Sequence, residues 1–156
     1  MQVPDNRPNI LVIMSDQHAK RVTGCYGNDV VQTPNIDRLA KNGLAFDNAY
    51  CPAPVCVPSR MSFLTGRYPS GNRVLDNAHM LSSTIPTFAH ALGAAGYETA
   101  LMGKMHFVGS DHRHGFEHRP LGEFLGRYPG VPELGGPRWT TFPSGTSGQQ
   151  RVSIEN

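Results

Sequence analysis

The sequence predicts an α/β fold, with a layered and mostly parallel sheet flanked by helices. Residues 9–14 form a continuous aliphatic run, which is typical of a strand covered on both faces. Two further strands are predicted at 44–50 and 97–102. Helical segments lie between these strands, and such alternation of strands and helices is the pattern of α/β proteins.

The first predicted helix has a start signal and a stop signal. Thr33 is placed to cap it, Pro34 occupies its first position, and Asn42-Gly43 ends it. Ile36, Leu39 and Ala40 recur at helical spacing, so they are expected to form its apolar face.

Two more helices are predicted further along the chain. Residues 51–56 are expected to be extended, and a short helix is expected over 58–65. Another helix is expected to start at Pro86 after a cap at Ser83 or Thr84.

The 156 residues suffice for one domain. Residues 1–120 are expected to form its ordered part. The segment 121–156 contains 7 of the 17 glycines and 4 of the 13 prolines, which predicts an irregular segment.

Charge and composition exclude several classes of function. The net charge is +2 and no basic block occurs, so the sequence gives no support for a nucleic-acid partner. The apolar runs are too short to span a membrane, and the start is unlike a signal peptide, which predicts no membrane association and a cytoplasmic location. The three cysteines form no CxxC pair, which argues against a disulfide framework or a structural zinc site.

Polar side chains follow the predicted strands or begin the short helix. They are Asp16-Gln17, Cys56 with Arg60, and Lys104 with His106. Because ligands of α/β sheets bind beyond the carboxyl ends of the strands, we expect these groups to converge. Each has an ordinary structural alternative, such as a turn cap, a surface ion pair or a solvated loop, and their joint placement favours function.

The chemistry of these groups indicates an anionic ester substrate. Asp16 and Gln17 offer oxygen ligands of the kind that Ca²⁺ or Mg²⁺ takes. Arg60, Lys104 and the start of the short helix supply positive potential for a tetrahedral oxyanion.

Residues 56–60 (Cys-Val-Pro-Ser-Arg), followed by Leu-Thr-Gly-Arg at 64–67, resemble the signature of the type I sulfatases. Residues 33–40 and 103–106 are also similar to family sequences, and the resemblance covers about residues 7–120. It implies an alkaline-phosphatase-like fold, of which this chain would be the N-terminal part and therefore incomplete. Residues 1–120 would then be the N-terminal part of a sulfatase catalytic domain, and the activity implied is hydrolysis of sulfuric esters.

In this family the cysteine of the motif is oxidised to Cα-formylglycine, and Cys56 matches that position. A formylglycine-generating or sulfatase-maturing enzyme is therefore an implied partner. One hydroxyl of the hydrated aldehyde attacks sulfur, and the other, once deprotonated, expels sulfate and regenerates the aldehyde.

The resemblance also implies roles for the other candidate residues. Asp16 and Gln17 would bind a divalent metal (Ca²⁺ foremost, with Mg²⁺ or Mn²⁺ as alternatives) together with the diol derived from Cys56. Arg60 would hold the diol and the metal site in register.

The remaining roles concern the substrate. Lys104 would contact the sulfate group, and His106 would take the proton in the elimination step. Asn77 is similar to an asparagine that contacts sulfate in some relatives.

Three alternatives remain to sulfate-ester hydrolysis. Residues 103–109 and 76–78 are most similar to choline-sulfatase-type members, but phosphonate monoester hydrolases use the same modified cysteine. A non-catalytic oxyanion-binding module is the second alternative. A thiolate phosphatase is disfavoured, because its cysteine and arginine would need a longer spacing than the one between Cys56 and Arg60.

Members of the family are several times longer and complete the metal site with a distant Asp-containing motif. Residues 110–112 (Ser-Asp-His) are followed by Arg113 instead of the glycine of that motif, so a solvated loop is expected there. With few of the ~6 oxygens that the ion prefers, the chain alone is expected to bind metal weakly and to hydrolyse little. His112, His114 and His118 are expected to lie on an exposed loop and not to form a zinc site.

Overall fold

The computed structural model describes residues 7–122, which form two compact units. The first unit extends to Tyr50 and the second begins at Cys51. Within this part of the chain, none of the helices combines the length and the apolar character required to cross a bilayer.

The first unit is built around one helix, α1 (Pro34–Asn42), and two 3₁₀ turns, at Lys20–Val22 and Gly24–Tyr26. Asp37 of α1 joins the second turn to the helix: its Oδ1 accepts the Cys25 N–H at 2.7 Å and the Thr33 hydroxyl at 3.0 Å. The bounds of α1 agree with the sequence-based prediction. Thr33 occupies the N-cap position, but its hydroxyl bonds Asp37 and accepts the Gly24 N–H at 2.8 Å, so it does not cap the helix.

The strands predicted at 9–14 and 44–50 do not form in the described residues. Leu11 is 83% exposed and Leu44 88% exposed. A strand that is apolar on both faces requires neighbouring strands and covering layers, and no residue of the first unit that the structure describes pairs in a ladder. The predicted apolar face of α1 is likewise uncovered, since Ile36 is 41% exposed and that helix buries none of its residues.

The described residues of the second unit, 51–122, form three helices and two strands. The helices are α2 (Cys56–Thr65), α3 (Pro69–Asn72) and α4 (Phe88–Ala94). The strands β1 (Ala100–Met102) and β2 (His118–Leu121) pair in parallel, with a register irregularity between Ala100 and Met102.

Two backbone hydrogen bonds flank this strand pair. The His118 N–H donates to the Thr99 carbonyl at 3.0 Å, and the Gly103 N–H donates to the Leu121 carbonyl at 3.1 Å. Residues 103–117 therefore form a loop that is fixed at both ends. The sequence predicted the third strand over 97–102, of which 100–102 form β1, and it did not predict β2.

The core of the second unit lies between α2, α4 and β1. Its buried members are the apolar residues Val57, Met61, Leu64, Val74, Leu81, Ala89, Leu101, Met105, Phe107 and Phe116. The Phe88 ring packs edge-on against Phe63 at 5.5 Å and against Phe116 at 6.0 Å between ring centroids. These packed aromatic rings hold α4 against both α2 and the loop 103–117.

Helices α2 and α4 begin at positions that differ from those predicted. α2 starts at Cys56, so this residue belongs to a helix and not to the extended segment expected before position 58. α4 starts at Phe88 with Thr87 as its cap, because Thr87 and His90 satisfy each other's backbone N–H groups in a capping box. The irregular segment predicted at 121–156 lies, apart from its first two residues, outside the described residues.

His114 is buried, with 1% of its surface exposed, so the expectation of an exposed loop is wrong for this residue. The Thr87 hydroxyl donates to the His114 carbonyl at 2.6 Å, and the His114 ring packs 4.6 Å from the Phe107 ring centroid. At the following Gly115, a Cβ atom would lie 2.4 Å from Nδ1 of His90, so only glycine fits there.

Burial lowers the pKa of His114 below its usual 6.5. The Asp111 carboxylate, 3.3 Å from Nδ1, raises it, whereas His90, His112 and Arg119 lower it further. The native state therefore holds His114 neutral at a pH at which the unfolded chain already binds a proton.

From this shift we predict that acid destabilises the second unit. As the pH falls from about 7.5 through the usual histidine pKa of about 6.5, the unfolded chain binds more protons than the native state, so the free energy of unfolding falls by up to about 1.4 kcal/mol per pH unit. Urea denaturation across this range measures the slope. The slope should be smaller in His114→Asn than in wild type. Equal slopes in wild type and His114→Asn would contradict the prediction.

Candidate active site

Cys56 is the first residue of α2, and its thiol is half-buried. Val55 precedes it in an extended conformation and accepts the first helical hydrogen bond, from the Ser59 N–H at 3.0 Å. Pro58 suits this first turn because it has no N–H to satisfy and its φ is already helical. The local sequence thus fixes the backbone that carries the thiol.

Lys104 lies beside this thiol. Its Nζ is 3.9 Å from the Sγ of Cys56. Lys104 follows β1 after Gly103, whose φ of 84° turns the chain back toward α2. The contact therefore places a positive charge beside the atom that the sequence singled out as the precursor of a nucleophile.

Arg60 is buried, with 6% of its surface exposed, one helical turn after Cys56. Its Nη1 donates to the Lys104 carbonyl oxygen at 2.7 Å. The sequence expected Cys56, Arg60 and Lys104 to converge, and the structure brings them together. The predicted contact of Arg60 was with the diol and the metal site, whereas the contact described here is with the backbone of Lys104.

His106 follows on the same segment as Lys104 and is also buried, with 5% of its surface exposed. Its φ is 60°, a left-handed conformation that is rare in residues other than glycine and costs about 1–3 kcal/mol. The side chains of Met105 and Phe107 on either side are anchored in the core. This packing holds the unusual conformation of His106 in place.

Asn77 contacts the helix that begins with Cys56. Its Oδ1 accepts the Val57 N–H at 3.0 Å. The neighbouring Asp76 folds a turn around it: the Ala78 N–H donates to Asp76 Oδ1 at 2.8 Å, and His79 Nδ1 lies 2.6 Å from the same oxygen. The Ala78 N–H and, to a smaller extent, His79 lower the pKa of Asp76, so the turn is held by a carboxylate.

Sequence analysis missed this use of Asn77 and the turn-forming role of Asp76. The sequence does contain a signal for the turn, because an aspartate favours the Asx turn, in which its side chain accepts the backbone N–H two residues further along. The partner of Asn77, Val57, lies 20 residues away in sequence, and no local pattern identifies it.

Asp16 and Gln17 belong to the first unit, where they are exposed and form a turn after residues 10–14. Gln17 has a φ of 55°. Their oxygens suit Ca²⁺ or Mg²⁺ in kind but supply only part of the ~6 ligands required. Among residues 7–122, no three His, Cys, Asp or Glu side chains are grouped to hold a metal ion. Their role as metal ligands stays a prediction.

The contacts in the second unit define what this site can bind. The Lys104 ammonium lies next to the half-buried thiol at the start of α2, and the buried Arg60 guanidinium holds the backbone of Lys104. Positive charge at a helix start favours an anion at this point. The site is therefore suited to an anionic group held next to position 56.

Comparisons with known proteins agree with this geometry. A choline-sulfatase of Rhizobium meliloti is 50% identical over 113 residues, which are 72% of this chain and 22% of that protein. An N-acetylglucosamine-6-O-sulfatase of Bacteroides thetaiotaomicron is 41% identical over 112 residues, covering 72% of this chain and 20% of that protein. The chain thus spans about a fifth of the length of these relatives.

Solved structures give the same result for the fold. One protein in complex with its substrate D-glucosamine-2-N,6-O-disulfate matches with a TM-score of 0.69 and 41% identity, over 72% of this chain and 22% of that one. The phosphonate monoester hydrolase of Agrobacterium radiobacter matches with a TM-score of 0.66 and 28% identity, over 74% of this chain and 26% of that one. The fold is therefore the alkaline-phosphatase-like α/β fold that the resemblance implied, represented here in part.

Residues 8–142 match the protein family described as Sulfatase, which is most of the 156-residue chain. The similarity to sulfatases that the cysteine motif indicated is thus confirmed independently by sequence relatives and by fold. We conclude that the chain belongs to the sulfatase family.

Proposed function

We propose that the protein containing this chain hydrolyses small sulfuric esters with a nucleophile made from Cys56. The observation that carries the proposal is the contact between Lys104 Nζ and Cys56 Sγ, 3.9 Å, at the first residue of α2. A thiol buried for structural reasons has no need of a lysine, whereas a nucleophile that attacks a sulfate group does.

In this proposal a maturation enzyme, which supplies a two-electron oxidant, oxidises the Cβ–Sγ group of Cys56, and water then replaces the sulfur, which leaves as hydrogen sulfide and yields the aldehyde of formylglycine. The hydrate of this side chain supplies the oxygen that attacks sulfur, and the alcohol departs. Lys104 binds a sulfate oxygen, since its ammonium group lies beside position 56. His106 takes the proton from the second hydroxyl when sulfate is expelled.

In this proposal Arg60 positions Lys104. Its guanidinium holds the Lys104 carbonyl at 2.7 Å and so keeps the lysine next to position 56. The family resemblance adds a divalent ion, with Ca²⁺ preferred to Mg²⁺ or Mn²⁺, at Asp16, Gln17 and the modified Cys56. When bound, such an ion lowers the pKa of the diol and polarises the sulfate.

Two observations support candidate substrates. The 50% identity to a choline-sulfatase favours the sulfate ester of a small alcohol such as choline. The TM-score of 0.66 with a phosphonate monoester hydrolase favours, as second candidate, a phosphonate or phosphate ester at the same site. Both substrates present a tetrahedral anionic group, so the cationic side chains described above serve either.

The proposal predicts that only one of the three cysteines is modified. After co-expression with a formylglycine-generating enzyme, peptide mass spectrometry should find an aldehyde at Cys56, whereas Cys25 and Cys51 should remain thiols. These two exposed cysteines are internal controls for non-specific oxidation. A Cys56 thiol that persists, while a choline-sulfatase is modified in the same cells, would contradict the proposed nucleophile.

Removal of the Lys104 ammonium is predicted to impair turnover with little effect on folding. In the matured enzyme, Lys104→Met should lower kcat/KM for a sulfate ester by about 100-fold, because a charge beside the reacting group is lost. The backbone carbonyl that binds Arg60 remains in this variant. Lys41→Met, at an exposed position of α1, is the matched control and should keep its activity. Equal kcat/KM values for the two variants would refute the role of Lys104.

Turnover is also predicted to depend on chain length and on the ester. The 156 residues alone should hydrolyse choline sulfate at least about 100-fold more slowly than a chain extended to the length of the relatives, because further metal ligands are then available. In the extended chain, kcat/KM should be higher for the sulfate ester than for a phosphonate monoester. Equal activity of the two chains would contradict the proposal that further metal ligands lie outside these 156 residues. A higher kcat/KM for the phosphonate monoester would favour the second candidate substrate.

A further inference from the structure

The start of α2 lacks the cap that its own sequence would normally supply. A helix leaves its first backbone N–H groups without internal partners, and the N-cap side chain usually accepts one of them. The N-cap position here is held by Val55, which is apolar and forms no such bond. Pro58 has no N–H, so the donors left to satisfy in the first turn include those of Cys56 and Val57.

Asn77 supplies the missing acceptor from a distant part of the chain. Its Oδ1 lies 3.0 Å from the Val57 nitrogen, across 20 residues of sequence. Because a backbone N–H can only donate, the partner atom must be the amide oxygen and not the amide nitrogen. The hydrogen bond therefore fixes both the first turn of α2 and the orientation of the Asn77 amide.

The turn that carries Asn77 is itself held by side-chain contacts. Asp76 Oδ1 accepts the Ala78 N–H at 2.8 Å and contacts His79 Nδ1 at 2.6 Å. The nearest buried residues on both sides, Val74 and Leu81, lie in the core. Asn77 thus presents its oxygen to α2 from a turn that these contacts hold.

We propose that Asn77 is a positioning residue, which caps α2 through its amide oxygen and thereby holds Cys56 in place beside Lys104. Asn77 acts on position 56 through the Val57 N–H, the donor next to it in the chain. The structural part of this inference stands on the described contacts, whereas its importance for ester hydrolysis rests on the proposed function. A sulfate-contacting role alone would require nothing of the Val57 amide.

Three variants separate capping from substrate contact. Asn77→Ala removes the acceptor, and Asn77→Asp keeps an oxygen in its place. The double variant Val55→Ser/Asn77→Ala supplies a local cap instead. Val55 is 41% exposed and has the extended φ and ψ of an N-cap, −132° and 140°, so serine fits there and can reach the Val57 N–H.

Two readouts on the unmodified 156-residue chain decide the question. Hydrogen exchange of the Val57 amide, followed by NMR, should become about fivefold to tenfold faster in Asn77→Ala and stay protected in Asn77→Asp. The iodoacetamide alkylation rate of Cys56, relative to the exposed Cys25, should rise about threefold or more in Asn77→Ala, because fraying exposes a half-buried thiol. Both values should return toward wild type in the double variant.

The inference is overturned if Asn77→Ala leaves the exchange of Val57 and the relative alkylation of Cys56 unchanged, or if Val55→Ser restores neither. Neither readout requires oxidised Cys56 or turnover. A failure of the proposed function would therefore appear as an unmodified Cys56 with these two results intact. A failure of the present inference would appear as unaltered exchange in a chain that is still modified at Cys56.

Discussion

The hydrogen bond between Arg60 and the Lys104 carbonyl connects the two segments of the second unit that carry the site. The arginine comes from α2, one turn after Cys56, and the carbonyl comes from the segment after β1; the bond between them is 2.7 Å. A buried guanidinium must be hydrogen-bonded, and a bond to a charged group contributes about 1.5–3 kcal/mol. The same interaction thus stabilises the fold and determines how close the lysine lies to the thiol.

The sequence predicted helices better than strands. The bounds of α1 agreed with the prediction because Pro34 and Gly43 are local signals that act within a few residues. The strands at 9–14 and 44–50 depended on partners that sequence patterning cannot supply, and they did not form in the described residues. β2 contains a proline, Pro120, and its short polar sequence gave no strand pattern.

For the candidate site, the motif itself carried most of the information. The spacing of Cys56 and Arg60 places both on one face of a helix, and Lys104 was expected nearby because it follows a strand. The capping by Asn77 and the burial of His114 depend on contacts across 20 and 27 residues, respectively. Such contacts arise from tertiary packing, which local sequence patterns do not reveal, so the sequence predicts an exposed loop for a polar residue such as His114.

The loop 103–117 is fixed at both ends by hydrogen bonds of Gly103 and His118. Lys104 and His106 lie near the start of this loop, whereas residues near its middle, such as Ser110, are exposed. Each doubling of the length of such a loop adds only about 0.6 kcal/mol of closure entropy. Insertions around position 110 would therefore cost little closure entropy, and they would leave Lys104 and His106 in register with α2.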